Sequence, residues 1–284
     1  MRLSTRLVAL AVVPLAVLGA CGSDDSGTPP TTTVVPGNAT PGADGYAYAT
    51  GPDDVVLSIG SAGGFVPEGY DFMRTPTLLV TGDGRVFTPG MTTLEYPGKL
   101  VVPMFVQQLD PEGMQALLAR AAEAQLLGPA PVYPGNDQIA DASDTVVTIT
   151  VDGQTYTHQA YALGFDEETD PARQRLADFV ADATNLTSIV PEGSLSVPAP
   201  FTPPASEIRA TVGDLAGVEA ANEVAWASDS GVTLAGAGEC ASVPVSDSTA
   251  TALLLDANQA TFFTEDGVTY RLMVRPELPG GPDC

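Results

Sequence analysis

Covalent chemistry in a protein is carried most often by histidine, cysteine and serine. This chain offers one histidine, His158, and three cysteines, Cys21, Cys240 and Cys284. A Ser-His-Asp or Cys-His hydrolase needs a base held beside its nucleophile. His158 falls in the alternating run Tyr156, His158, Ala160. That run reads as the core-facing side of a strand, so a partly buried structural histidine is expected there. Cys240 and Cys284 form an even pair, and outside the reducing cytoplasm such a pair reads as a disulfide. It would close a loop of about 44 residues and contribute about 4 kcal/mol in the chain-entropy model. The spacing is not that of a Cys-x-x-Cys redox pair. Gly60-Ser61-Ala62-Gly63-Gly64 has neither the Gly-x-Ser-x-Gly spacing of a nucleophile elbow nor the Lys-Ser/Thr of a phosphate loop. It reads as a backbone turn.

Carboxylates are the other abundant chemistry. The chain has 35 Asp and Glu against 11 Lys and Arg, a net charge of −24. Such a surface repels phosphate backbones and argues against nucleic-acid binding. It also favours a soluble monomer. Zinc needs three or four His or Cys ligands, which one histidine and one disulfide do not supply. Calcium takes carboxylate and carbonyl oxygens. Two clusters are candidates: Asp166, Glu167, Glu168 and Asp170, and Asn136, Asp137, Asp141 and Asp144. Neither has EF-hand spacing, and acids of the first suit the positive end of the helix that follows. Two carboxylates can also hydrolyse glycosides, but nothing singles out a pair among so many acids. Trp226 and the eight tyrosines are scattered, and Trp226 reads as a core anchor. No motif points to a cofactor or a resident metal.

The N-terminus supplies a clearer message. Arg2 and Arg6 precede an uncharged apolar run from Leu7 to Val17, interrupted by Pro14, and Leu18-Gly19-Ala20-Cys21 follows. The run is too short for a membrane-spanning helix and has the length of an export signal. The whole resembles a bacterial lipoprotein signal with its lipobox. The resemblance implies that residues 1–20 are removed and that Cys21 is acylated. The mature protein would then be lipid-anchored on the extracytoplasmic face of the cell membrane. It would carry 35 acids against nine Lys and Arg, a net −26. Residues 21–45 are rich in Gly, Ser, Thr and Pro and read as a disordered tether with a flexible reach of about 25–30 Å. The body resembles a class of actinobacterial exported lipoproteins. Gly63-Gly64-Phe65-Val66-Pro67, Gly82-Asp83-Gly84-Arg85-Val86, Tyr96-Pro97-Gly98, and Tyr270 to Pro279 with Cys284 carry that likeness. It implies location and style of fold, and no functional residue beyond Cys21.

The elements that must position these residues are legible. Asp110-Pro111 and Asp170-Pro171 are helix entries with an N-cap and a proline at the first helical position. The first helix turns Met114, Leu117, Leu118 and Ala121 inward, and the second Ala172, Leu176, Phe179, Val180 and Ala183. A shorter helix begins near Asp247, with Ala250, Leu253, Leu254 and Ala257 inward. Three segments read as hairpins closed by Asp-Gly: Val80 to Phe87, Ile149 to Tyr156, and Phe263 to Tyr270. A two-residue type I′ turn would set each apolar residue opposite its aromatic partner and pair Val147 with His158. An α+β fold is therefore expected: antiparallel hairpins packed with two main helices over 46–190, a Pro-rich linker over 191–206, and a smaller disulfide-tied β-rich domain with one helix over 207–284. The expected function is a membrane-anchored envelope lipoprotein acting as a non-catalytic binding module for an envelope protein or wall polymer. The alternatives are a carboxylate-dependent extracellular hydrolase and a calcium-dependent adhesion module.

Overall fold

Asp-Gly turns, β-branched runs and two Asp-Pro helix entries build two sheets with helices packed on them. The computed structural model describes residues 39, 42–67, 69–92, 95–135, 138–165, 167–219, 221–282 and 284. The segment expected as an export signal, Cys21, most of the expected tether, Asn136, Asp137 and Asp166 lie outside them. The first sheet contains β1 (Val55–Ala62), β2 (Leu78–Thr81), β3 (Arg85–Pro89), β4 (Met104–Gln108), β5 (Asp144–Val151), β6 (Gln154–Tyr161) and β7 (Ala199–Phe201). Its order is β6-β5-β1-β2-β3-β4-β7, antiparallel throughout. The second contains β8 (Ala205–Val212), β9 (Asn222–Ala225), β10 (Ala241–Pro244), β11 (Thr261–Glu265) and β12 (Val268–Pro276) in the order β10-β8-β12-β11-β9. Only its β9–β11 pair is parallel. The fold is α+β.

The helices are α1 (Tyr70–Met73), α2 (Pro111–Glu123), α3 (Pro171–Thr184) and α4 (Ser248–Asp256). Asp110 accepts from the Gly113 amide, and Asp170 from those of Ala172 and Arg173, so both N-caps form. Met114, Leu117, Leu118 and Ala121 of α2 and Leu176, Phe179 and Ala183 of α3 are buried against Val56, Ile59, Val147 and Ile149 of the first sheet. Asp247 caps α4, which packs Ala250 and Leu254 against Trp226, Phe263 and Leu272 of the second sheet. Trp226 is the expected core anchor. It stands edge-on to Phe263, and its indole N–H donates to the Val232 carbonyl.

Two of the three hairpins keep the expected register. Ile149 faces Tyr156 and Val147 faces His158, and Phe263 faces Tyr270. Asp152-Gly153 and Asp266-Gly267 have positive φ at both positions, as type I′ requires. The first hairpin is shifted: Val80 faces Val86, and Phe87 faces Leu79. Gly82 is the cause. Its N–H donates to the Asp54 carbonyl, and its Cα lies against the Ala49 carbonyl, where no Cβ would fit. That pulls Gly82 out of the ladder and leaves a three-residue loop with Gly84 at φ 84°. A one-residue slip sends a side chain to the opposite face. Val80 and Val86 therefore join the helix-covered core, while Leu79 and Phe87 line a small core with Met104 on the other face.

Residues 36–284 form one compact unit. The segment expected as a linker, 191–206, is built into it. Leu195 bridges Leu109, the Ser196 hydroxyl accepts from the Gln108 amide, and β7 pairs with β4. The chain then passes directly into β8. Leu278, beyond β12, returns to pack on the Leu79–Phe87–Met104 core.

Candidate functional site

His158 is fully buried on β6. One ring nitrogen, Nε2, lies 2.9 Å from the Leu126 carbonyl, and Nδ1 lies 2.7 Å from the Tyr133 hydroxyl. A carbonyl only accepts, so Nε2 carries the proton and the Tyr133 hydroxyl donates to Nδ1. Burial holds His158 below its ordinary pKa, and the hydrogen bond to Leu126 offsets only part of that. Burial likewise pushes the Tyr133 phenol up to about 12, with Arg175 pulling it down and Asp170 adding to the rise. Both groups are neutral near pH 7, and both imidazole nitrogens are engaged. His158 is a structural histidine, as its strand position suggested.

Cys240 and Cys284 are joined, with Cα atoms 5.3 Å apart. Beside them lies a polar cluster without a clear sequence signal. Glu207 is buried on β8 and accepts from Arg275 Nε at 2.5 Å and from the Cys284 amide at 2.7 Å. Arg275 also donates to the Pro282 carbonyl. The guanidinium groups of Arg209 and Arg275 both lie over the Phe72 ring, at 4.8 and 4.5 Å from its centroid. The disulfide therefore has company: the Glu207–Arg275 ion pair holds the same C-terminal segment through the Cys284 amide and the Pro282 carbonyl. Glu207 and Arg275 are direct cross-strand partners 68 residues apart.

Asp247 is the other buried acid of this half. Its carboxylate accepts from the hydroxyls of Ser228 and Ser230 and from the amides of Asp229, Ser230 and Ala250. Burial alone would raise its pKa. The hydrogen bonds from Ser228 and Ser230, with those from the backbone, win and hold it far below the usual carboxylate range. Ser228 and Ser230 are thus committed to a carboxylate.

Three of the proposed calcium ligands, Glu168, Asp170 and Asp144, are engaged by protein donors. Glu168 takes two bonds from Arg173 and one from the Gly164 amide, and the Arg173 bonds hold it below its ordinary pKa. Asp170 caps α3, and Asp144 accepts from Gln159. Ser61 lies in β1, where its hydroxyl accepts from Arg74. The glycines after it, Gly63 and Gly64, adopt positive φ in a turn.

A groove of about 770 Å³ is lined by Phe201, Pro203, Pro204 and Val245 together with the C-terminal segment from Glu277 to Pro282. Arg85 and Asp53 stand at its edge. Arg85 is already bonded to Asp83 and to the Pro52 carbonyl. The prolines have no N–H to offer and stiffen this wall, and the Pro204 and Pro282 carbonyls already accept from the Val245 amide and from Arg275. No family model, no curated protein and no solved structure matches this chain.

Proposed function

We propose that this protein is an envelope lipoprotein, anchored through lipid on Cys21, that works as a non-catalytic interaction module. The observation that carries the reading is the proline-walled groove, one side of which is the segment fastened by Cys284, Glu207 and Arg275. Binding surfaces are favoured where a concave, largely pre-formed wall costs little ordering entropy. The partner class that fits is an extended polypeptide of another envelope protein. Its apolar side chains would meet Phe201, Val245 and the prolines of the wall. His158, Glu207 and Asp247, the buried histidine and buried acids, are each engaged in hydrogen bonds within the fold.

A photo-crosslinking residue placed at Val245 in intact cells tests this. The expected result is a discrete adduct from Val245 that is absent from Val212, an exposed position at the other end of β8. The adduct should weaken in Cys21→Ala. Equal labelling from both positions would remove the groove from the proposal. Intact-mass analysis of the mature protein tests the anchor. It should begin at Cys21 and carry acyl chains, and an unmodified or different first residue would refute that part.

A further inference from the structure

Of the nine phenylalanines, only Phe65 and Phe165 are exposed, at 86% and 67%. Phenylalanine is among the residue types most often buried. The fold brings both to one end of the first sheet. β1 ends at Ala62, β5 begins at Asp144 and β6 ends at Tyr161, and these three residues pair in one row. Phe65 lies just beyond Ala62, and its N–H donates to the Asp141 carbonyl. Phe165 lies just beyond Tyr161, and its N–H donates to the Ala162 carbonyl. Ser143 joins the two loops. Its carbonyl accepts from the Ala162 amide, and Gly64 lies against its backbone, where a Cβ would sit 3.2 Å from the Ser143 nitrogen. Each phenylalanine follows a glycine of positive φ, Gly64 at 83° and Gly164 at 79°, so each ring stands on a tight turn.

The same end receives the chain from its N-terminal side. Ala39, the first described residue, donates its N–H to the Leu127 carbonyl. The neighbouring Leu126 carbonyl holds His158, close to the end of β6. Val132, 87% exposed, precedes Tyr133, which holds the other ring nitrogen of His158. The Asp152-Gly153 turn closes the opposite end of β5 and β6, about 25 Å away along the strands.

With lipid on Cys21, Ala39 is 18 residues from the anchor, at most about 65 Å of chain. Such a link makes a second contact with the same bilayer intramolecular, so a weak contact suffices. Asp141 and Glu167 are exposed beside the two phenylalanines, so charge supplies no attraction to an anionic surface and the contact is apolar. The bilayer interface accepts aromatic and aliphatic side chains of this kind. We propose, on the reading that Cys21 is acylated, that Phe65 and Phe165 dip into the phospholipid bilayer that carries the anchor. This contact holds the Tyr161 end of the first sheet toward the membrane and the Asp152-Gly153 turn away from it.

The test uses the mature protein purified from membranes, on phosphatidylcholine vesicles with and without brominated acyl chains, which quench tryptophan on contact. Trp226 is the one native tryptophan and is buried against Phe263, so wild-type emission should ignore the bromine. Phe65→Trp and Phe165→Trp should each be quenched. Thr155→Trp, at an exposed position beside the opposite turn, should not. Adding Phe65→Ser to Phe165→Trp should cut the quenching by about half or more, because one tip then holds alone. Replacing part of the lipid with phosphatidylglycerol should weaken it, and a rise would contradict an apolar contact. Sedimentation with the vesicles reads the anchor separately. Sedimentation without quenching at either tip would leave the anchor standing and overturn the proposal. A protein that does not sediment would refute the anchor. The tips are then decided at about 10 mM phosphatidylcholine, where a marginal apolar contact still registers, and no quenching there would overturn the proposal too. So would quenching of Thr155→Trp equal to that of the tips. A change in tip emission that follows protein concentration without lipid would assign the tips to a second copy of the chain instead.

Discussion

Arg173 and Arg175 lie two residues apart on α3 and enter different surroundings. The Arg173 side chain is 8% exposed and faces Glu168, at 9%, through contacts of 2.5 and 3.0 Å. It also donates to the carbonyls of Tyr161 and Ala162. Arg175 buries its Nε among Tyr133 and the end of α2 and finds no acceptor. The contrast extends across the molecule. Glu207 and Asp247 in the second sheet are saturated like Arg173. Stranding one partner of a buried pair is costly, whereas removing a buried donor that has no acceptor is not.

The comparison breaks if the two arginines respond alike to removal. Arg173→Met should cost about 3–5 kcal/mol, because Glu168 would be left buried and unpaired. Denaturant unfolding measures it, and a loss below that of Arg175→Met would reverse the assignment of roles. Asp247→Ala should cost about 2–3 kcal/mol, through the lost N-cap of α4 and the stranded donors of residues 228–230. Its effect should fade in acid. The folded pKa of Asp247 lies below its unfolded value, so its stabilisation is present above the unfolded pKa and is lost as pH falls toward the folded one. His158 sharpens the comparison at milder pH. Its folded pKa is lowered by burial, so the unfolded chain binds the proton first. Stability should therefore fall as pH drops below about 6.5, with a slope of at most about 1.4 kcal/mol per pH unit. As His158 is the only histidine, His158→Gln should lack that slope between pH 6.5 and 5.

Local grammar made much of this legible from the residues. The Asp-Pro entries marked α2 and α3, and Asp152-Gly153 set the β5–β6 register that buries His158. The Asp83-Gly84 turn misled because its neighbour Gly82 is held by Ala49 and Asp54, contacts from outside the hairpin. Pro191 to Ala205 looked like a linker because prolines interrupt regular patterns. Yet Leu195 and Ser196 bond to β4 and its continuation, and β7 needs only three residues to close the sheet edge. The Glu207–Arg275 pair depends on β8 and β12 meeting in one register, which no short window encodes. Arg175 was invisible for a related reason. A missing partner is a property of the assembled corner, and the sequence shows only an arginine on a helix.

The smallest expected effect is also the most direct test of the unsatisfied charge. Arg175→Met removes a buried donor that has no acceptor and keeps a long apolar stem in its place. Urea unfolding at pH 7 should place this variant within about 0.5 kcal/mol of the wild type, or slightly above it. A loss of about 2 kcal/mol or more would mean that Arg175 is held by the fold as Arg173 is, and would contradict the contrast drawn between the two arginines.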